Sequence, residues 1–279
     1  MEITRPPFNS LAVTKKDNRL LFHSMQNYET RNESTIKQIQ HADYLYNFDD
    51  FNWILINTDD ASIGNHYEGM KVFSYSTPDN DYSHVCPDFL IDSWPQVQIN
   101  DYQSEIYKIS KLGDMTPETD LLGWRGAMSH HNRFHLLKYT DKTLYDIEQI
   151  DWNRSTPEKL TCHNYVSLPD SIKKWRYLID VEGRGYSARV KTFLFSKRVL
   201  FLQSRPHKEW YYEHMIPWKH YVPVQPDLSD LEENLKIIKT NPQLEDMIRM
   251  SAYEFAINNI QRKHALERWK QLLENVNNI

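Results

Sequence analysis

Between residues 175 and 239 the chain alternates β-favouring apolar runs with helical patterns. The sequence predicts strands over 175–181, 198–203 and 219–224, with helices over 186–196, 208–214 and 229–239 between and after them. Neighbouring parallel strands can be joined only by a crossover, so this alternation predicts βαβ units and a parallel sheet with helices on both faces. The helix at 229–239 has Ser229 as a candidate N-cap and Glu232 three residues on, the spacing of a capping box. Asn241-Pro242 ends it, and a helical period continues through 243–276 with one break.

Glycine is scarce, 7 of 279 residues, yet four of the seven lie in two strand-terminal loops, Gly123/Gly126 and Gly183/Gly185. A strand that ends in a Gly-rich loop lets the backbone approach a ligand, and a helix after it offers unpaired N–H groups to an anion. Arg125, Arg184 and Arg189 add fixed positive charge suited to bidentate phosphate binding. The second loop is not the dinucleotide Gly-x-Gly-x-x-Gly, because Ala188 stands at the third glycine. Two readings stay open: loops converging on one anion such as a nucleotide diphosphate, and ordinary βα turns with surface arginines.

The first half reads less clearly. Residues 51–57 and 72–76 have strand character, 24–45 a weak helical pattern, and 111–118 the Gly, Pro and polar mixture of a linker. A strand ending at 122–126 is followed by a helical pattern through 131–139. The length allows two modest domains or one large one. A net charge of −5 argues against a general nucleic-acid binder. No apolar run reaches the ~18 residues of a membrane span, and the segment Met1–Pro7 has no signal-peptide character. Cys86 and Cys162 form no Cys-x-x-Cys, and a reducing cytoplasm fits them. The 17 Tyr and 8 Trp suit either an aromatic core or stacking against sugars and bases.

Three other clusters could carry chemistry. Asn57-Thr58-Asp59-Asp60 ends the strand at 51–57 and is either a turn or the place of a general base. Asp79-Asn80-Asp81 is either a loop or the Asp-x-Asp by which nucleotide-sugar enzymes hold a divalent metal. His131 and His135, beside His130, have the i,i+4 spacing of a metal pair but no intervening Glu of the metalloprotease type.

Five segments taken in order resemble glycosyltransferase family 90, the group of protein O-glucosyltransferases and capsule-associated xylosyltransferases. They are Ile56–Asp60; Val72–Ser76 running on to Trp94; Trp124–Ala127 with Arg133; Tyr177–Gly183 through Ser187-Ala188-Arg189; and Glu209–Glu213 with Pro217–Val224 and Asp227–Leu231. The likeness covers about residues 50–240. It implies an α/β protein of the GT-B type, with two Rossmann-like domains whose parallel sheets face a central cleft. An acceptor-side domain would occupy 1–117, joined by helices 246–279, and a UDP-sugar domain 118–245. The resemblance further implies an inverting transfer of glucose or xylose from a UDP-sugar to a hydroxyl of a glycan or glycoprotein, with no required metal and no other cofactor.

Position by position, Asp60 falls on the family's catalytic aspartate, and Arg125, Arg133, Ser187 and Arg189 on donor-site positions. Gly126, Gly183, Arg184 and Gly185 belong to the same donor loops, with Glu209 and Glu213 as candidates for the ribose hydroxyls. Phe89 and Trp94 are candidates for the acceptor or sugar pocket. Ala127-Met128 replaces the family's Ser-Arg after the first Arg-Gly, so one diphosphate contact that the resemblance implies is either lost or supplied by Arg184. The alternatives are a metal-dependent transferase using Asp79 and Asp81, and a non-catalytic nucleotide-sugar-binding module. The expected setting is microbial or viral glycan synthesis in a cytosolic space, with no nucleic-acid partner.

Overall fold

The computed structural model describes residues 9–25, 29–59, 64–150 and 164–276. They form an α/β protein of two compact units, one made of Met1–Gln103, Pro206–His214 and Ile260–Ile279, the other of Ser104–Arg205 and Met215–Asn259. Among the described residues no helix is long and apolar enough to cross a membrane.

The first unit holds β1 (Ser10–Lys16), β2 (Arg19–Met25), α1 (Glu29–Tyr46), β3 (Phe51–Asn57), β4 (His66–Tyr67) and β5 (Met70–Ser74). Its sheet order is β2-β1-β3-β5-β4. Only β3 and β5 run parallel, while β1 is antiparallel to both β2 and β3. The expectation of a parallel sheet in this half is therefore corrected: the sheet is mixed. The cause is local. Asp17 and Asn18 both take positive φ, 50° and 61°, as the tightest hairpin turns require, and they fold β2 back on β1 without a crossover. The strand β1 is buried through Lys15, whose amine is matched by Asp43 at 2.7 Å and the Phe48 carbonyl at 2.6 Å.

The helix α2 (Tyr102–Gly113) starts in the first unit and continues in the second. The boundary thus falls at 103/104, where the sequence suggested 117/118. Ser110 is bonded to the Tyr253 hydroxyl at 2.9 Å, and the buried Arg198 guanidinium donates to the carbonyls of Leu112, Gly113 and Met115. Gly113 sits so close to the Ser196 carbonyl oxygen that a Cβ there would lie 2.0 Å from it.

The second unit contains β6 (Thr119–Gly126), β7 (Tyr145–Gln149), α3 (Leu168–Lys174), β8 (Trp175–Asp180), α4 (Arg189–Leu194), β9 (Val199–Gln203), β10 (Val222–Val224), α5 (Leu231–Thr240) and α6 (Pro242–Asn259). Its sheet, β10-β9-β8-β6-β7, is parallel throughout, as the alternation predicts. Leu122, Trp124, Tyr177, Ile179, Phe201 and Val222 form its core with Leu231, Leu235 and Ile238 of α5. The residue at the N-cap of α5 is Asp230, not Ser229, and the Asp230 carboxylate accepts from the Gln225 N–H at 2.9 Å. The predicted capping box is not formed. Residues His131–Lys138 make a 3-10 helix, and α7 (Arg262–Glu274) returns to the first unit, placing the Trp269 indole N–H 3.1 Å from Gln38.

Candidate functional site

In the second sheet the chain passes from β6 outward to β7, then returns to the other side of β6 and continues outward through β8, β9 and β10. The direction reverses between β6 and β8. Such a switch point leaves a crevice beyond the carboxyl ends of the two strands, the usual ligand position in open α/β sheets. The segments that leave those ends are Gly126-Ala127 and Val181-Glu182-Gly183, so both Gly-Arg loops singled out from sequence border this crevice.

Asp180, the last residue of β8, is fully buried and organises the loop that follows. Its carboxylate accepts from Arg205 at 2.7 Å and from the Ser187 hydroxyl at 2.9 Å, and pairs with Arg189 at 3.2 Å. Burial alone would raise its pKa. The Arg205 and Arg189 guanidiniums outweigh that and hold it below the ordinary carboxylate value. Arg189 also donates to the Arg125 carbonyl at 2.6 Å, so the loop after β8 is tied to the end of β6.

Arg133 makes a second tie. Its guanidinium donates to the carbonyls of Ala127 at 2.7 Å and Glu182 at 3.0 Å, and lies against Gly183, where a Cβ would stand 3.1 Å from Nη2. Ser187 and Gly185 are buried, and Arg184 is exposed at the tip between them. Arg125 is placed differently from Arg133 and Arg189. Its buried guanidinium turns onto Asp146 at 2.7 Å and the Trp124 carbonyl at 2.9 Å. Burial works against the Asp146 charge, but Lys174, Arg125 and the Trp175 indole N–H together lower its pKa to about 2.

Glu182 was not singled out from sequence. It is buried at the crevice, with one carboxylate oxygen, Oε1, accepting from Asn132 and lying 3.8 Å from His130 Nδ1. Its own N–H donates to Gln203 Oε1 at 3.0 Å. The signal was a second acid at the end of the strand run Tyr177–Asp180, which local sequence does not separate from a turn residue.

The other candidates lie elsewhere. Glu209 and Glu213 belong to the first unit, not to the 118–245 domain expected for them. Glu209 is buried and accepts from the Tyr211 hydroxyl at 2.6 Å, while Glu213 is exposed. Also in the first unit, Phe89 is buried edge-on to the half-buried Trp94, ring centroids 5.2 Å apart, with the Arg31 guanidinium 4.9 Å above the Phe89 ring. Asp60 lies outside the described residues. The strand exit before it is fixed by Arg31 donating to the Thr58 carbonyl at 2.9 Å and by the Asp59 N–H bonding Asn57 Oδ1 at 3.0 Å.

Asp79 and Asp81 are engaged in a turn: Asp79 accepts from Thr77 and from the Asp81 N–H, and Asp81 from the Ser83 N–H at 3.0 Å. Among the described residues no three His, Cys, Asp or Glu side chains group as metal ligands. His130 caps the 3-10 helix by accepting from the Asn132 N–H, and His131 and His135 are exposed. Cys86 is buried, and Cys162 falls outside the described residues.

A parallel, reversing sheet with arginine, serine and acid residues gathered at its switch point defines a doubly wound α/β chain with a ligand crevice at that point. Its sequence matches glycosyl transferase family 90 over residues 11–278, and the chain belongs to that family. It is 33% identical over 100 residues to protein O-glucosyltransferase 1 of Rattus norvegicus, covering 36% of this chain and 26% of that protein. It is 30% identical over 111 residues to O-glucosyltransferase rumi of Drosophila melanogaster, covering 39% and 27%. A viral relative, protein 035R of Invertebrate iridescent virus 3, is 29% identical over 119 residues, covering 42% and 11%. The matched stretch thus spans about a quarter of each glucosyltransferase. Among solved structures, Anabaena Alr3699/HepE in complex with UDP-glucose overlaps 76% of this chain and 59% of its own, at 9% identity and a TM-score of 0.42. At that score the fold assignment rests on the sheet order itself.

Proposed function

We propose that this chain is an inverting glycosyltransferase of the GT-B type that moves glucose or xylose from a UDP-sugar to a hydroxyl of a glycan or glycoprotein. The observation that carries the reading is the switch point of the second sheet, where Ser187, Arg189 and Arg133 meet in a chain of family 90. The relatives named as glucosyltransferases support a hexosyl donor.

In this reading Asp60 takes the proton from the acceptor hydroxyl as its oxygen forms a bond to the anomeric carbon. The bond from that carbon to the UDP β-phosphate oxygen breaks on the opposite face, so configuration inverts. Charge grows on the departing diphosphate, and fixed guanidinium and hydroxyl donors that need no reorganisation stabilise it. Arg189 and Ser187 are held for that task by Asp180. A divalent cation is not required, because the arginines provide the counter-charge.

The test pairs two variants with a screen of UDP-sugars for UDP release. Asp60→Asn is expected to lower turnover by about 10²-fold or more, the scale of a lost general base, with UDP affinity by calorimetry unchanged. Arg189→Ala is expected to weaken UDP binding, and activity is expected to survive EDTA. Near-wild-type turnover in Asp60→Asn would remove Asp60 from the mechanism.

A further inference from the structure

We infer that the second unit holds a second binding site, for a small polyvalent oxyanion, in a cavity of about 300 Å³ at the amino edge of its parallel sheet. The cavity lies wholly within that unit, where β6, β8 and β9 begin, at the opposite end of the strands from the switch-point crevice. Its wall is made by the Gly113–Pro117 turn after α2, by Arg176, by Lys197–Val199, and by Glu245 and Arg249 of α6. The inference does not rest on the function proposed above.

Charge decides what the cavity takes. Four cations line it, Arg176, Lys197, Arg198 and Arg249, against two carboxylates, Asp114 and Glu245. Lys197 is matched by Asp114 at 2.5 Å and Arg176 by Glu245 at 2.7 Å. Arg198 is different. It is 6% exposed and donates to the carbonyls of Ile172 at 3.1 Å, Gly113 at 3.0 Å and Met115 at 2.8 Å, and among the described residues no carboxylate pairs with it. Carbonyl dipoles satisfy its N–H groups but bring no counter-charge, and a buried unmatched charge is costly. Burial lowers its pKa to about 10, and repulsion from Arg249 and Arg176 adds to that. Arg249 is the second cation in excess. Its partner Asp246, like Asp120 beside Arg176, does not line the cavity, and the two are 62% and 68% exposed, where water screens their charge. Guanidinium forks match the oxygens of phosphates and carboxylates. The volume is at the low end of the roughly 300–1,000 Å³ of small-molecule sites, which suits an anion of pyrophosphate size better than a whole nucleotide-sugar. Bound there, the anion bridges α6 to the turn after α2.

The experiment is calorimetric titration of the full chain with pyrophosphate and with citrate at constant ionic strength, with UDP in excess to fill the crevice. Wild type should still bind, and the tighter of the two probes names the oxyanion as phosphate or carboxylate. Arg249→Glu is expected to weaken that binding on the order of tenfold or more, and Asp114→Asn, which removes a lining carboxylate but keeps an acceptor for Lys197, to tighten it by roughly threefold. An ion-pair network that only holds the fold together gives no such gain. Both side chains reach solvent, 34% exposed at Arg249 and 54% at Asp114, so neither substitution should cost the fold, and neither should alter UDP affinity. Failure of both probes to bind wild type, or binding that neither variant changes, overturns the inference. If UDP itself does not bind, the proposed function falls, while the two variants still locate the anion, because both lie at the far end of the sheet from the crevice.

Discussion

Gly123→Ala is expected to lower the melting temperature by roughly 10 °C, a drop converted from about 3 kcal/mol or more of overpacking. Gly123 lies in the middle of β6 with the Trp175 indole across it, and a Cβ built there would be 1.8 Å from Cδ2 and 2.2 Å from Cγ of that ring. Most overpacked sites recover by a small shift of a neighbouring side chain. Trp175 has little room for one. It is 2% exposed, its Nε1 donates to Asp146 at 2.9 Å, and the Arg125 guanidinium stacks 5.1 Å from the ring. Moving the indole breaks the Asp146 cluster that joins β6, β7 and the start of β8. The double variant Gly123→Ala/Trp175→Leu, which clears the clash, should recover part of the loss. A single variant melting within 2 °C of wild type would show that the contact yields more easily than its partners imply.

Asp180→Asn is expected to be the most damaging single-atom-scale change in the second unit. The neutral amide leaves Arg205, itself 1% exposed at the side chain, without a buried counter-charge, and breaking such a pair costs about 3–5 kcal/mol. Urea unfolding should register that loss, and UDP binding should weaken as well, because Ser187 and Arg189 lose their common anchor. The double variant Asp180→Leu/Arg205→Met should regain stability without regaining UDP affinity, which separates packing from recognition. The same carboxylates set the acid behaviour of the wild type. Asp180 and Asp146 both have folded pKa values below the ordinary 3.8, Asp146 at about 2. Their contribution is complete above the ordinary value and is lost as pH falls through the lower folded ones. Stability should therefore drop between about pH 4 and pH 2, less steeply in Asp180→Asn.

What was legible in the sequence follows from how far each signal reaches along the chain. The strands at Trp175–Asp180 and Val199–Gln203 and the break at Asn241-Pro242 are local matters of apolar runs and proline stereochemistry, and they stand within a residue or two of expectation. The hairpin of β1 and β2 escaped notice because β1 is buried along almost its whole length and shows no alternation, leaving Asp17-Asn18 as its one clue. The two Gly-Arg loops were legible as a pair. The direction of each arginine was not, since Arg125 turns back to Asp146, 21 residues on, while Arg133 and Arg189 span the crevice. Asp180, Arg205 and Glu182 were missed for the same reason: their partners are distant in the chain, and only the assembled sheet brings them together.

The way the chain crosses between its two units has a consequence for how the protein is made. It passes from one to the other after Gln103, returns after Arg205, leaves again after His214 and returns after Asn259. During synthesis β1 to β5 emerge before the strands of the second unit, yet α7, which places Trp269 beside Gln38 of α1, emerges after them. The second unit has every strand of its sheet and all of α6 by Asn259, and so is the first that can finish on the ribosome. The first unit must wait, with Gln38 of α1 not yet joined by Trp269, until α7 leaves the exit tunnel. A premature stop near residue 260 would thus damage the unit whose sheet is translated before the sheet of the other.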